Sequence, residues 1–277
     1  MLAQPMQTAR LASGLSLEYV RQGQESEIPM VFLHGYTDSC RSFSRLFDAL
    51  PSVVDRIAIS LRGHGGSDRP EGPYDIATMA RDVAHLLDRL AIRKVLLVGH
   101  CMGGFVAQRF ALDYPDRLDR LILLDSFPTM IGNADVAALL DEVAAFADGR
   151  VDPDFVRAFQ ESTVAQPVPA AFMDMIVAES LKLPGQTWRT VLAALAQEDL
   201  TDALSQIAVP TLLICGEEDL LFGLPSQQAL RAGLPNAELA LLPGLGHSPH
   251  WEDPAAVAAL CCEFAARPAT AALPIAM

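Results

Sequence analysis

Positive charge is scarce in this sequence of 277 residues. There are 20 lysines and arginines against 34 aspartates and glutamates, which gives a formal net charge of −14 at pH 7. Binding to a nucleic-acid backbone or an anionic membrane depends on clustered basic side chains. The sequence also lacks any run of the roughly 18 apolar residues that a membrane-spanning helix requires. We therefore expect neither nucleic acid nor a membrane among its partners.

Cysteine is also infrequent, and its spacing fits neither a disulfide framework nor the CxxC pairs of metal sites. The five cysteines are Cys40, Cys101, Cys215, Cys261 and Cys262. No metal and no organic cofactor is implied by the motifs. The segment from Met1 to Arg10 lacks the apolar core of a secretory signal, so the cytoplasm is the expected location.

Short apolar runs alternate with helical patterns along much of the chain. The alternation from Arg10 to Gly23 around Ser13-Gly14 predicts a β-hairpin. Further strands are predicted at 29–33, 56–61, 94–99, 118–124, 211–215 and 238–242. Helices are predicted at 41–50, 76–90, 102–114, 225–232 and 254–266. Strands that alternate with helices indicate parallel βαβ units, and therefore an α/β sheet with helices on both faces.

The alternation stops between residues 127 and 205, where helical patches punctuated by prolines replace the strands. These patches are predicted at 136–147, 154–160, 171–181 and 187–197. A helical stretch of this length between two strands of one sheet indicates an insertion that folds over the edge of the sheet. We therefore predict an α/β core domain formed by residues 1–126 and 206–277, and a helical cap formed by residues 127–205.

The reactive stretch is Gly99-His100-Cys101-Met102-Gly103-Gly104. An apolar, β-branched run leads into it and a helical pattern follows, which predicts a strand, a sharp turn and a helix with Cys101 at the apex. In such a nucleophile elbow the turn is so tight that only glycine fits two residues on either side of the reactive residue. Cysteine occupies the position where serine is usual.

Nucleophilic acyl transfer also needs a base and a carboxylate that orients it. In hydrolases with this elbow the acid and then the histidine follow the nucleophile. His247 lies in a glycine-rich loop after the last predicted strand and is the expected base, whereas His250 is expected to cap or pack a helix. Asp219 is the expected acid because it follows the strand at 211–215, and Asp125 is the competitor.

Oxyanion donors are expected from backbone N–H groups in loops that follow strands. Met102 begins the elbow helix, where unpaired donors and the helix dipole favour negative charge. Tyr36 lies beside His34-Gly35, where glycine permits close approach. The His34 side chain is expected to hydrogen-bond within its own loop, and His100 to pack beneath the elbow.

Together these motifs resemble the α/β-hydrolase fold superfamily. The elbow looks like the Gly-His-Ser-Met-Gly-Gly of that family, with cysteine in place of serine. The other matching motifs are His34-Gly35, Arg62-Gly63-His64-Gly65-x-Ser67, Gly216-x-x-Asp219 and Gly246-His247. The resemblance covers about residues 15–264. It implies an eight-stranded, mostly parallel sheet flanked by helices, with a helical cap inserted after the sixth strand.

The resemblance is nearest to the capped esterases, lactonases, perhydrolases and carbon–carbon bond hydrolases. Haloalkane dehalogenases and epoxide hydrolases share the fold but have aspartate at the elbow, so Cys101 argues against both. The expected function is hydrolysis of a carboxylic ester or lactone through a Cys-His-Asp triad and a thioester. Acyl transfer, thioester hydrolysis and carbon–carbon bond hydrolysis on the same triad are alternatives. A serine-to-cysteine variant of a serine esterase and a non-catalytic ligand-binding protein are two others.

Aromatic residues make up only 6% of the chain, and several of them lie in the predicted cap. They favour a small, mostly apolar ester or lactone, and no cluster of Lys or Arg suggests a phosphate or coenzyme A group. The protein is expected to be a monomer or a homodimer. The residues expected to contact substrate are His34, Gly35, Tyr36, Phe127, Met130 and Trp188.

Overall fold

The computed structural model describes residues 5–267, and a single eight-stranded sheet runs through its centre. The strands, in chain order, are β1 (Gln7–Arg10), β2 (Ser16–Gln22), β3 (Met30–Leu33), β4 (Arg56–Ile59), β5 (Val95–His100), β6 (Leu118–Leu124), β7 (Thr211–Gly216) and β8 (Ala237–Leu242). Their spatial order is β1-β2-β4-β3-β5-β6-β7-β8. β2 pairs antiparallel with β1 and with β4, and the remaining neighbours pair parallel. The predicted sheet is confirmed.

Helices cover both faces of this sheet, and the strands are apolar on both sides for that reason. In β3, Val31 and Leu33 face one hydrophobic core while Met30 and Phe32 face the other, as the two-residue period of a strand requires. The α-helices are α1 (Ser44–Ala49), α2 (Ile76–Arg89), α3 (Met102–Asp113), α4 (Ala134–Ala144), α5 (Pro153–Glu161), α6 (Ala170–Ser180), α7 (Gly185–Leu195), α8 (Leu224–Gly233), α9 (Pro249–Glu252) and α10 (Pro254–Ala266).

The segment at 41–50 differs from the single helix predicted for it. A 3₁₀ turn at Cys40–Phe43 comes first, and α1 begins only at Ser44. The Ser39 hydroxyl accepts a hydrogen bond from the Arg41 N–H, and the Ser39 carbonyl accepts one from the Ser42 N–H. These short-range bonds tighten the first turn into 3₁₀ geometry.

Residues 127–205, which we call the insert, lie between β6 and β7 and hold the four helices α4 to α7. Two isolated β-bridges, Thr129 with Asp199 and Arg150 with Pro184, tie distant parts of the insert together. Trp188 of α7 packs edge-on against Phe146, Phe155 and Phe159. Nowhere in residues 5–267 does a helix have the length and apolar character needed to cross a membrane.

Candidate active site

Cys101 sits at the sharp turn between β5 and α3. Its φ of 49° and ψ of −116° place a non-glycine residue in a sparsely populated region of backbone space. The turn is held by hydrogen bonds from the Cys101 N–H to the Leu124 carbonyl and from the Gly104 and Phe105 N–H groups to the Cys101 carbonyl. The Cys101 side chain therefore stands at the start of α3, above the end of β5.

Glycine at position 103 lets α3 approach the backbone of β3. A Cβ atom on Gly103 would lie 2.1 Å from the Leu33 carbonyl oxygen, a distance that carbon atoms do not tolerate. The obstacle is backbone in a central strand, which cannot rotate away as a side chain could. The close packing of the elbow helix α3 against the sheet thus requires a residue without a side chain at position 103.

Replacing Gly103 with alanine is expected to lower the free energy of unfolding by about 2 kcal/mol or more, because the inserted methyl group forces α3 away from β3. Urea unfolding followed by circular dichroism measures the change. Gly149→Ala is the matched control, since a Cβ on Gly149 would meet nothing within 4 Å. Equal stability of the two variants would contradict the packing argument.

His247 and Asp219 are paired in the structure, as the sequence predicts. His247 Nδ1 lies 3.0 Å from Asp219 Oδ2, and both side chains are almost completely buried. The other oxygen, Oδ1, accepts hydrogen bonds from the Leu221 and Phe222 N–H groups at 2.8 and 3.1 Å. The carboxylate is therefore fixed in orientation, and it fixes the ring of His247 in turn.

Electrostatic interactions among Cys101, His247 and Asp219 favour the charged form of the histidine. Burial alone would lower the pKa of His247, but Asp219, Cys101 and the hydrogen bonds to both hold that pKa well above its ordinary value. Burial likewise opposes ionisation of Asp219, yet the His247 charge and the backbone donors keep its pKa below the usual range. Because Nδ1 is occupied by Asp219, the other edge of the ring is the one that serves Cys101.

Asp125, the competing acid, lies behind this pair. Its Oδ1 accepts a hydrogen bond from the Gly216 N–H at 2.9 Å, and its Oδ2 has no partner among the described residues. Burial and the nearby Asp219 charge raise the pKa of Asp125 well above its ordinary value. Asp125, Cys215 and Asp219 each have one potential metal-ligand atom within 4.8 Å of the other two. Asp219, however, already accepts three hydrogen bonds, so its oxygens are not free to bind a metal ion. The neutral form of Asp125 is thus favoured, and among the described residues no hydrogen bond joins it to His247.

A cavity of about 400 Å³ opens above Cys101 and His247. That volume lies within the usual range for small-molecule sites. Gly35 and Tyr36 from the core contribute to its wall, and Met130, Phe159 and Leu192 from the insert close it from the other side. Most of the wall is apolar, so the cavity suits a small organic molecule rather than a polymer.

The two expected oxyanion donors flank Cys101. Met102 is the first residue of α3, and Tyr36 follows β3, which pairs with β5. Neither N–H group donates to a backbone carbonyl in the part of the chain that the structure describes. The Tyr36 hydroxyl donates to the Trp188 carbonyl at 2.7 Å, which anchors this loop to the insert.

Three residues expected to contact substrate do not line the cavity. His34 is buried, with Nδ1 against the Gly35 carbonyl and Nε2 accepting from the Leu61 N–H, so it braces its loop. Phe127 stacks on Phe222 with ring centroids 3.9 Å apart, and Trp188 packs against Tyr36. Phe127 and Trp188 therefore lie one layer behind the wall, which corrects the expectation of contact. Gly35, Tyr36 and Met130 do line it.

The wall also contains polar residues that were not singled out from the sequence. Asp38 and Gln160 both line the cavity and lie 3.3 Å apart, from Gln160 Nε2 to Asp38 Oδ1. His100 is a wall residue too, and does not simply pack beneath the elbow as expected. The position of Asp38 four residues after His34 offers a signal, since a charged residue there follows a buried strand. Nothing in the sequence relates Gln160 to it.

Comparisons with known proteins agree with this fold. The family model for the alpha/beta hydrolase fold matches residues 28–254. An esterase from Exiguobacterium antarcticum superposes with a TM-score of 0.84 at 22% identity, covering 93% of this chain and 98% of the esterase. A hydrolase from Pseudomonas aeruginosa superposes with a TM-score of 0.82 at 25% identity, covering 96% of this chain and the whole of that one.

Curated relatives extend along most of the sequence. A soluble epoxide hydrolase from Corynebacterium is 30% identical over 224 residues, covering 73% of this chain and 78% of the relative. A Bacillus subtilis protein, provisionally named 2-succinyl-6-hydroxy-2,4-cyclohexadiene-1-carboxylate synthase, is 29% identical over 273 residues, covering 92% and 96%. Because the family model spans most of the chain, the protein belongs to the α/β-hydrolase fold family.

Proposed function

We propose that this α/β-hydrolase cleaves small, uncharged carboxylic esters or lactones through an acyl-thioester on Cys101. The observation that carries the proposal is the placement of Cys101, on a strained turn at a helix N-terminus, against the buried His247–Asp219 pair. Cys101 and His247 both line one cavity of suitable size. A thiolate is stabilised both by a neighbouring imidazolium and by a helix N-terminus.

In the first half of the reaction, His247 holds the proton of Cys101 as an imidazolium, and the thiolate sulfur attacks the ester carbonyl carbon. The carbonyl electron pair moves onto oxygen, where the N–H groups of Tyr36 and Met102 stabilise the negative charge. When the electron pair returns, the bond to the leaving alkoxide breaks, and His247 gives its proton to that oxygen. An alcohol leaves, or an open-chain hydroxyl for a lactone, and a thioester remains on Cys101.

In the second half, water replaces the alcohol. His247 removes a proton from water, the hydroxide oxygen attacks the thioester carbon, and the carbon–sulfur bond breaks to release a carboxylic acid and restore Cys101. Asp219 holds the His247 ring so that the same nitrogen serves in both halves. The insert acts as a cap in this scheme, since its apolar side chains exclude bulk water from the acyl group.

Substrate charge follows from the wall of the cavity. Asp38, Asp135 and Glu142 line it, and within residues 5–267 no Lys or Arg does. An anionic substrate would meet repulsion from these carboxyl groups, and the charge of His247 is already paired with Asp219. The compound in the name of the Bacillus subtilis relative carries succinyl and carboxylate groups, which are anionic. A reaction of such a compound therefore suits this cavity poorly. A neutral ester meets no such penalty.

Sulfur at the elbow also argues against the reaction of the epoxide hydrolase relative. Attack of a thiolate on an epoxide carbon forms a thioether, whose carbon–sulfur bond water does not cleave. An acyl-thioester has an electrophilic carbonyl and is readily hydrolysed. Cys101 therefore supports turnover of acyl substrates and would be consumed by an epoxide.

The wild-type protein is expected to hydrolyse p-nitrophenyl hexanoate with a kcat/KM at least about tenfold above that for mono-p-nitrophenyl adipate, because juxtaposed like charges cost several kcal/mol. The two esters have the same chain length and differ in a terminal carboxylate. Acid quenching followed by peptide mass spectrometry should find hexanoyl on the peptide that contains Cys101.

Protein alkylated beforehand with iodoacetamide is the control for this experiment, and it should neither release p-nitrophenol nor acquire the acyl group. Hydrolysis with the acyl group on another residue would overturn the thioester mechanism. Equal or faster turnover of the adipate would instead overturn the preference for uncharged substrates while leaving the mechanism standing.

A further inference from the structure

One corner of the cavity carries two polar groups that the proposed reaction does not use. Asp38 and His100 both line the cavity, and they are only 2% and 3% exposed. They meet at Gly35. A Cβ there would lie 2.8 Å from His100 Nδ1 and 3.2 Å from Asp38 Oδ2. We call the pair Asp38 and His100 the acceptor corner.

The free nitrogen of His100 is a hydrogen-bond acceptor. His100 Nε2 lies 2.9 Å from the His247 carbonyl oxygen, and a carbonyl oxygen only accepts, so Nε2 carries the hydrogen. Burial lowers the pKa of His100 to about 3, so the ring is neutral and Nδ1 keeps its lone pair. Nδ1 is buried and has no hydrogen-bond partner among the described residues. An unpaired buried acceptor is unfavourable unless a ligand or water supplies a donor.

Asp38 is held beside this nitrogen by the insert. The Gln160 amide donates to Asp38 Oδ1 at 3.3 Å, and it also contacts the hydroxyls of Thr37 and Ser180. Burial raises the pKa of Asp38 to about 7, against the Gln160 hydrogen bond and the His247 charge. Gln160 is itself buried and its NH₂ group already has three acceptors, so it fixes the orientation of the carboxyl group rather than moving with substrate.

We propose that the acceptor corner binds a hydroxyl group of the substrate and makes Asp38 a specificity-determining residue. This inference rests on the proposed ester hydrolysis and adds the chemistry of the substrate to it. An ionised Asp38 accepts the hydroxyl hydrogen directly. A protonated Asp38 donates to the hydroxyl oxygen, and the hydroxyl then donates to His100 Nδ1. A hydroxyl donates its hydrogen in either state, to the Asp38 carboxylate or to Nδ1, whereas an ether or methyl group has no hydrogen to donate to either acceptor.

The corner lies close to the reacting atoms. His100 precedes the proposed nucleophile Cys101 in the chain, and Gly35 precedes Tyr36, whose N–H is a proposed oxyanion donor. The hydroxyl therefore belongs near the scissile carbonyl, as in a short hydroxyacyl ester. Most of the cavity wall as a whole is apolar, so water competes poorly for the corner once substrate has entered.

The test compares p-nitrophenyl 3-hydroxybutyrate with p-nitrophenyl 3-methoxybutyrate, each as both enantiomers, and uses p-nitrophenyl butyrate as the reference ester. The wild type is expected to favour one hydroxy enantiomer over its methoxy analogue by about tenfold or more in kcat/KM, because sites built to bind a hydroxyl reject its absence strongly. Asp38→Leu and Asp38→Ala should bring that ratio to within about twofold. Asp174→Asn, which removes an exposed carboxylate of the insert, should keep the wild-type ratio.

A wild-type ratio near one, with butyrate turned over, overturns the inference and leaves the ester hydrolysis standing. The inference is also overturned if an Asp38 variant that thermal melting shows to be folded keeps the wild-type ratio of kcat/KM between the hydroxy and methoxy esters. If no ester is cleaved, the proposed ester hydrolysis is wrong, and a binding measurement then tests the acceptor corner separately. Cys101→Ala protein should then bind 3-hydroxybutyramide more tightly than 3-methoxybutyramide by thermal shift, and equal binding of the two amides would refute it.

Discussion

Cys101→Ala should lose essentially all esterase activity, with kcat/KM for p-nitrophenyl hexanoate falling by about a thousandfold or more. The methyl group of alanine leaves the elbow intact but provides no atom to form the thioester. The proposed oxyanion donors, the N–H groups of Tyr36 and Met102, remain, so a small residual rate above buffer is expected. Release of p-nitrophenol, corrected for spontaneous hydrolysis, measures the change.

Two further variants sharpen this experiment. Cys101→Ser places a hydroxyl beside His247, so it should hydrolyse the ester well above the Cys101→Ala rate while resisting iodoacetamide. Cys262→Ala is the control for thiol loss, because Cys262 is the one cysteine within residues 5–267 that is not buried. It should retain both the activity and the sensitivity to iodoacetamide. Full activity in Cys101→Ala would rule out the nucleophile.

Much of the fold could be predicted because its elements are bounded by strong local signals. Strand β6 matches its predicted limits of 118–124, and α10 matches 254–266. The 3₁₀ turn at Cys40–Phe43 was missed because the hydrogen bond from the Arg41 N–H to the Ser39 hydroxyl produces no periodic pattern of apolar residues in the sequence. Helix limits in the insert shift by one to three residues, since prolines and caps there compete with apolar spacing.

The site divides in the same way. The pairing of His247 with Asp219 could be predicted because the order along the chain constrains it, and the hydrogen bond confirms the geometry. The sequence could not predict which aromatic ring faces the cavity, because Phe127 and its stacked neighbour Phe222 are chemically alike. The contact of Asp38 with Gln160 joins residues 122 apart in sequence, and only the docking of the insert on the core creates it.

The identity of the acid depends on a difference in charge between two buried aspartates. Asp219 is ionised, accepts from His247 and is held by two backbone N–H groups. Asp125 has a pKa raised well above its usual value by burial and by Asp219, which favours its neutral form. A neutral carboxyl group resembles an amide in shape and charge, whereas an ionised one does not. Substitution by asparagine therefore distinguishes them.

Asp219→Asn is expected to lower kcat/KM for p-nitrophenyl hexanoate by about a thousandfold or more, because an amide NH₂ facing His247 Nδ1 favours the wrong ring tautomer. Asp125→Asn should stay within roughly fivefold of wild type, the factor that about 1 kcal/mol represents. Thermal melting of both variants confirms that each is folded. A large loss in Asp125→Asn together with a small one in Asp219→Asn would transfer the role of the triad acid to Asp125, at the end of β6.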